Sequence, residues 1–186
     1  IYTLSLHDAL PIYPCVLNLY REYEKQGYKV DYIGVNANGE LNIQELQDKI
    51  TDETALVSVM WANNETGIIF PVEKIAEMVK EKNPQTVFYV DAVQAAGKIP
   101  MDVKNTKIDM IGISGHKFHA PKGIGALYVK LGTIISPLIN GGHQERGRRA
   151  GTENVPYIVG LGKAAELAQA SLPYESTEVK RLRDKL

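Results

Sequence analysis

Ile108-Asp109-Met110-Ile111-Gly112-Ile113-Ser114-Gly115-His116-Lys117 is the stretch on which the reading of this chain turns. Ile108 to Ser114 reads as a buried strand, and it gives way abruptly to small and polar residues that end in a lysine. Two upstream runs repeat the pattern. Val87 to Asp91 is a buried strand closed by an acid, and Ala55 to Met60 is an apolar, β-branched run followed by Asn63-Asn64. Gly125 to Lys130 reads as a fourth strand, antiparallel because only a short loop precedes it. Lys29 to Val35 alternates like a strand, and Asn36-Ala37-Asn38-Gly39 is turn chemistry.

Helical patterns lie between the strands. Val16 to Gln26 is amphipathic, with Val16, Leu19, Tyr20 and Tyr23 on one face and Gly27 as the stop. Asn42 caps a short helix reaching Ile50, and Pro71 opens a helix that buries Ile75, Met78 and Val79. A small-residue helix runs from Asn154 to Ala170, and another begins at Glu175. Alternation of strands and helices predicts an α/β fold, a mixed, mostly parallel sheet with helices on both faces.

The totals set wide bounds. At 186 residues, 44% hydrophobic and 23% charged, the chain suits one globular domain. A formal net charge of −1 gives no electrostatic case for nucleic acid or an anionic membrane. No apolar run approaches the roughly 20 residues of a membrane-spanning helix. The single cysteine, Cys15, permits neither an internal disulfide nor a thiolate cluster, which suits a cytoplasmic protein. Its expected role is that of a buried structural thiol. The four histidines lack metal-ligand spacing, so no metal site is expected. Gly112 to Lys117 does not fit the nucleotide phosphate loop.

In open α/β sheets ligands lie beyond the carboxyl ends of the strands. Asn64, Asp91, Gln94, His116 and Lys117 are all expected at that edge. A lysine at a strand end can act as an amine nucleophile toward an aldehyde. Asp91 has two readings. It can cap a helix beginning at Ala92, or it can pair with the ring nitrogen of pyridoxal phosphate and keep the ring an electron sink.

Taken together, Met60-Trp61-Ala62-Asn63-Asn64-Glu65-Thr66-Gly67, Val90-Asp91-Ala92-Val93-Gln94, Ser114-Gly115-His116-Lys117-Phe118-His119-Ala120-Pro121-Lys122-Gly123 and Gly141-Gly142-His143-Gln144-Glu145-Arg146-Gly147-Arg148-Arg149-Ala150-Gly151-Thr152-Glu153-Asn154 resemble the cysteine desulfurases. These are class V aminotransferases within fold type I of the pyridoxal-phosphate enzymes. The resemblance spans Tyr13 to Leu186. It implies that Lys117 carries the cofactor, that Asp91 pairs with its ring nitrogen and that Gln94 binds its phenolic oxygen. Asn64 would lie near the ring and the substrate carboxylate, and Ser114 and His116 would hold the phosphate. Thr152 would reach the phosphate of a neighbouring subunit, making the active unit a homodimer. The implied reaction converts L-cysteine to L-alanine and passes sulfur to an enzyme cysteine as a persulfide. A sulfur-acceptor protein, either an iron–sulfur scaffold or a tRNA-thiolation relay, then receives it.

The same resemblance frames the expected limits of the chain. Residues 1–12 contain Leu-His-Asp-Ala-Leu-Pro-Ile, which resembles a translated sequencing adapter, and are read as non-native. Residues 13–153 are read as part of the cofactor-binding large domain, and 154–186 as the helical connection that starts the small domain. The family's ring-stacking histidine would precede Pro14, where this chain has Tyr13. Its sulfur-accepting cysteine and carboxylate-binding arginine would lie beyond Leu186, so an internal fragment, inactive alone, is expected. The alternatives are a selenocysteine lyase, another class V lyase or aminotransferase, or a non-catalytic degenerate homologue. His119 and His143 read as loop hydrogen-bonders. Arg146, Arg148 and Arg149 suit an anion or a subunit interface equally.

Overall fold

The computed structural model describes residues 2–6 and 14–186, the strand 2–6 and Pro14 by their backbone alone. Tyr13 therefore lies outside the described residues. Six strands form one sheet in the order β2-β1-β3-β4-β5-β6. They are β1 (Tyr2–Leu6), β2 (Lys29–Ile33), β3 (Thr54–Met60), β4 (Val87–Asp91), β5 (Met110–Ser114) and β6 (Gly125–Val129). Every neighbouring pair is parallel except β5 and β6, which run antiparallel as the short connection requires. Five of the residues in the segment 1–12 thus pair within the sheet, between β2 and β3.

The two faces differ chemically because strand side chains alternate. Val57, Val59, Phe88, Val90 and Ile111 join Ile75, Ala76 and Val79 of α3 (Val72–Lys82) in the main core. Each is at most 3% exposed. At roughly 1.5–3 kcal/mol per fully buried aliphatic or phenyl side chain, this face dominates the favourable side of folding. Met78 is only partly buried at its margin. α2 (Ile43–Lys49) adds Leu46 to the same core, and Asn42 caps it by accepting from the Glu45 backbone N–H.

The opposite face carries Ser58, Tyr89 and Asp91. Here α1 (Pro14–Lys25) lays Tyr20 on the sheet, where its phenol hydrogen-bonds Ser58 and burial pushes its pKa to about 12. Leu19 and Tyr23, expected on the buried stripe, are 52% and 38% exposed. Tyr23 instead stacks edge-on with Tyr28 at 5.3 Å. Cys15 is also exposed, contrary to the buried thiol expected from the sequence. Five positions before Tyr20, it is turned about 140° round the helix from that buried ring, while Val16 of the expected stripe is half-buried.

A smaller cluster lies past β4. Ala96, Phe118, Ala120 and Ala164 are its buried members, with Leu161 and Ala168 packed against them from α5 (Val155–Tyr174), the helix that follows the short α4 (Gln144–Gly147). α5 is capped by the Asn154 side chain and outruns the expected end at Ala170. The separate helix expected from Glu175 is a continuation. One π-turn (Glu175–Val179) and α6 (Lys180–Arg183) follow with helical backbone throughout. Pro173 inside α5 lacks an N–H, and such an interruption of the ladder is where π-turns form.

Candidate active site

β3, β4 and β5 are adjacent and end together. Met60 pairs with Asp91, and Asp91 with Gly112, so the residues that follow each strand emerge at one carboxyl edge. Asn64, Asp91, Gln94, Ser114, His116 and Lys117 all belong to that edge. Three locally closed loops present them.

The first loop is organised by Asn63, not Asn64. The buried Asn63 side chain accepts from the backbone N–H of Glu65 and of Thr66 and from the Thr66 hydroxyl, at 2.9–3.2 Å. Its backbone exchanges further bonds with Ile68 and Gly67. With Asn63 consumed, Asn64 is left exposed at the loop's surface.

Asp91 is buried, 7% exposed. Its Oδ1 accepts the Val93 N–H at 2.9 Å, and Oδ2 takes no hydrogen bond from the described residues. Desolvation raises the carboxyl pKa above its ordinary value, and the Val93 N–H opposes that rise. The segment after Asp91 is a chain of turns rather than the helix considered in the sequence, closed by Ala95 and Ala96 N–H groups on Ala92 O. One oxygen therefore shapes the turn, and the other remains an acceptor for an outside N–H. Gln94, on the same turns, is half-buried.

Lys117 rides on a 3-10 turn, Gly115–Phe118. Gly115 donates to Ile124 O, which ties the start of the turn to the segment entering β6, and accepts from Ala120 N, which closes the turn on itself. A Cβ at Gly115 would come within 2.9 Å of Ala120 Cβ, so only glycine lets the chain close so tightly. Phe118 is 5% exposed and locks the turn into the cluster with α5. Lys117 is half-buried beside this anchor. Ser114 Oγ and His116 Nδ1 share a hydrogen bond of 2.8 Å, which orients the imidazole and leaves Nε2 for another partner.

Thr152 belongs to a different construction. It is exposed on the loop that precedes α5, and its carbonyl accepts from Arg149 Nη1 at 3.3 Å. The same guanidinium binds Gly151 O at 3.0 Å, and Gln144 Oε1 accepts from Gly151 N. Thr152 makes none of these bonds with the other six residues.

Lys98 and Tyr89 were not singled out from the sequence, and the sequence did not show which bonds Asn63 and Arg149 make. Asn63, Lys98 and Arg149 act mainly through backbone groups that no motif displays. Tyr89 was legible, since it stands two positions before Asp91 and so shares its face of the sheet. Its ring lies where a side chain on Gly112 would stand. Burial and the neighbouring Asp91 charge push the Tyr89 hydroxyl to about 12. Among the described residues no acidic, histidine and cysteine cluster could hold a metal, and no helix is long and apolar enough to cross a membrane.

An amine, a buried carboxylate, a carboxamide and a hydroxyl–imidazole pair gather on one strand edge, and the chain belongs to the class V aminotransferases. That family's model matches residues 13–184. More particularly, the chain is similar to cysteine desulfurases. It is 58% identical to the cysteine desulfurase of Nostoc sp. over 174 residues, 94% of this chain and 43% of that protein. Against the cysteine desulfurase NifS of Azotobacter vinelandii the identity is 51%, again over 94% of this chain and 43% of the relative. A solved NifS-like protein superposes with a TM-score of 0.94 at 41% identity, covering 99% of this chain and 50% of that one. SspA in complex with cysteine gives 0.82 at 38% identity, covering 89% and 47%. The chain spans about half the length of the relatives it matches.

Proposed function

We propose that this chain is the cofactor-holding portion of a cysteine desulfurase, with pyridoxal phosphate carried on Lys117. The observation that supports this best is the common edge at which β3, β4 and β5 deliver Asn64, Asp91, Gln94 and the Ser114–Lys117 turn. The donor set fits the group. When bound, the protonated ring withdraws electrons from the substrate's α-carbon. Asp91 supplies the buried acceptor that a ring N–H needs, with Oδ2 left over after Oδ1 serves Val93. Gln94 donates its amide to the phenolic oxygen, and Asn64 lies beside the ring and the substrate carboxylate. Ser114 and His116 grip the phosphate, and their mutual hydrogen bond orients the imidazole before it arrives.

The substrate in this reading is L-cysteine, consistent with the cysteine complex of a structural relative. The products are L-alanine and sulfur passed to an enzyme cysteine, then to an acceptor protein serving iron–sulfur assembly or tRNA thiolation. Thr152, held outward by Arg149, completes the phosphate site of a second copy in a homodimer. Residues 13–153 form part of the large domain, and 154–186 begin the connection toward the small one.

Addition of pyridoxal phosphate to the full-length protein should raise an absorbance band near the edge of the visible range. Borohydride should fix it covalently, and Lys117→Ala should abolish the fixation. A folded full-length protein that gives no band overturns the proposal.

A further inference from the structure

Lys98 ends the chain of turns that carries Gln94, and its ammonium group reaches two carbonyls at once. Nζ lies 3.5 Å from Gln94 O and 3.4 Å from Lys117 O. Each bond is long for an N–H donor. What matters is that one ammonium joins two loops that belong to different strands. The bond to Lys117 O spans 19 positions in the sequence. Gly97, immediately before it, has φ +75° and backs onto Phe118 of the 3-10 turn and Ala168 of α5, so the two turns meet at Gly97 as well as at Lys98.

We propose that Lys98 is a positioning residue, holding the turn of Gln94 and the turn of Lys117 at a fixed separation and placing a positive charge at the turn that carries Lys117. This rests on the reading of Lys117 as the cofactor lysine. Two charged groups act on Lys98, Lys117 from the 3-10 turn and Glu175 from the end of α5. Partial burial and the Lys117 charge lower its pKa and Glu175 opposes them, while the residue itself stays at the exposed surface. A cation in that position would disfavour protonation of the nitrogen through which Lys117 would hold the cofactor. The bridge also stiffens the turn before any cofactor arrives.

The test uses the full-length protein with Lys98→Met, Lys98→Gln and Lys98→Arg, read in two ways. Hydrogen exchange of the cofactor-free protein should be roughly 5-fold faster in residues 115–120 for the Met and Gln variants, with residues 87–91 unchanged. With pyridoxal phosphate bound, the pH midpoint of the visible band should rise by roughly half a unit in the same variants. Lys98→Arg should return both towards wild type. Unchanged exchange and midpoint, or exchange that rises equally in residues 87–91, overturn the proposal. A wild-type protein that forms no band would refute the functional reading instead, and the exchange measurement would still decide the bridge.

Discussion

Asp91 combines two demands that conflict when the cofactor is absent. Its carboxylate is buried and has one local donor, so the charged form is destabilised in the fold. A folded-state pKa raised above the unfolded value means that stability is greatest below the unfolded pKa. It is lost as pH rises through the folded one. Asp91→Asn keeps the acceptor for Val93 and removes the charge. Cofactor-free protein with that change should melt a few degrees higher at pH 7, and the gain should vanish below about pH 4. The same variant should bind pyridoxal phosphate yet turn over cysteine at least ~100-fold more slowly, because a neutral amide does not keep the ring protonated. Calorimetry across pH and steady-state rates of the full-length protein measure the two sides.

Elements matter here through the turns that join them. Gly97 is held at positive φ, and a Cβ there would lie 2.9 Å from Phe118 Cβ and 3.0 Å from Ala168 Cβ. Gly97→Ala should cost about 2–3 kcal/mol, combining left-handed strain with overpacking, and denaturant midpoints report it. Because Phe118 is the neighbour of Lys117, the visible band of the loaded protein should weaken as well. At the amino ends of the strands the fold is tied differently. Asp109 Oδ2 accepts the Phe88 N–H at 2.7 Å and pairs with Lys80 at 2.5 Å, and Lys80 also binds Thr86 O at 2.6 Å. Both side chains are largely buried, so removing one partner leaves a buried charge and an orphaned amide. Asp109→Ala should cost about 3 kcal/mol, and Asp109→Asn less, since the amide oxygen still accepts from Phe88. Neither should alter cofactor binding in protein that remains folded.

For the whole molecule, the distribution of apolar surface is the telling feature. The main core is closed between the sheet, α2 and α3, yet Leu131, Ile134 and Leu138 are 92–100% exposed and much of α5 is bare. β6 is an edge strand with Leu127 and Tyr128 exposed. Apolar surface on that scale, next to an unpaired edge, favours self-association. The 186-residue chain alone should scatter light at micromolar concentration more than the full-length protein does. It should also release no sulfide from cysteine and pyridoxal phosphate, because its one cysteine, Cys15, sits on the outer side of α1. Sulfide above the cofactor-only background would contradict this.

Periodicity and strand-end chemistry carried much of this into view from the sequence alone. The apolar runs ending in Met60, Asp91 and Ser114 set the α/β class, the antiparallel β6 and the edge at which the polar residues gather, because a buried run must stop where its polar successor meets solvent. The four motifs that resemble the desulfurases gave the family, which the match over residues 13–184 bears out. Tertiary structure decided what depends on contacts between distant segments. It buried Tyr20 on the sheet while Leu19 and Cys15 turned outward, and it ran α5 on through Pro173. It placed Asn63 under Asn64 and Lys98 across two loops. Those side chains bind backbone carbonyls and N–H groups, which every residue possesses, so no pattern of side chains announces them.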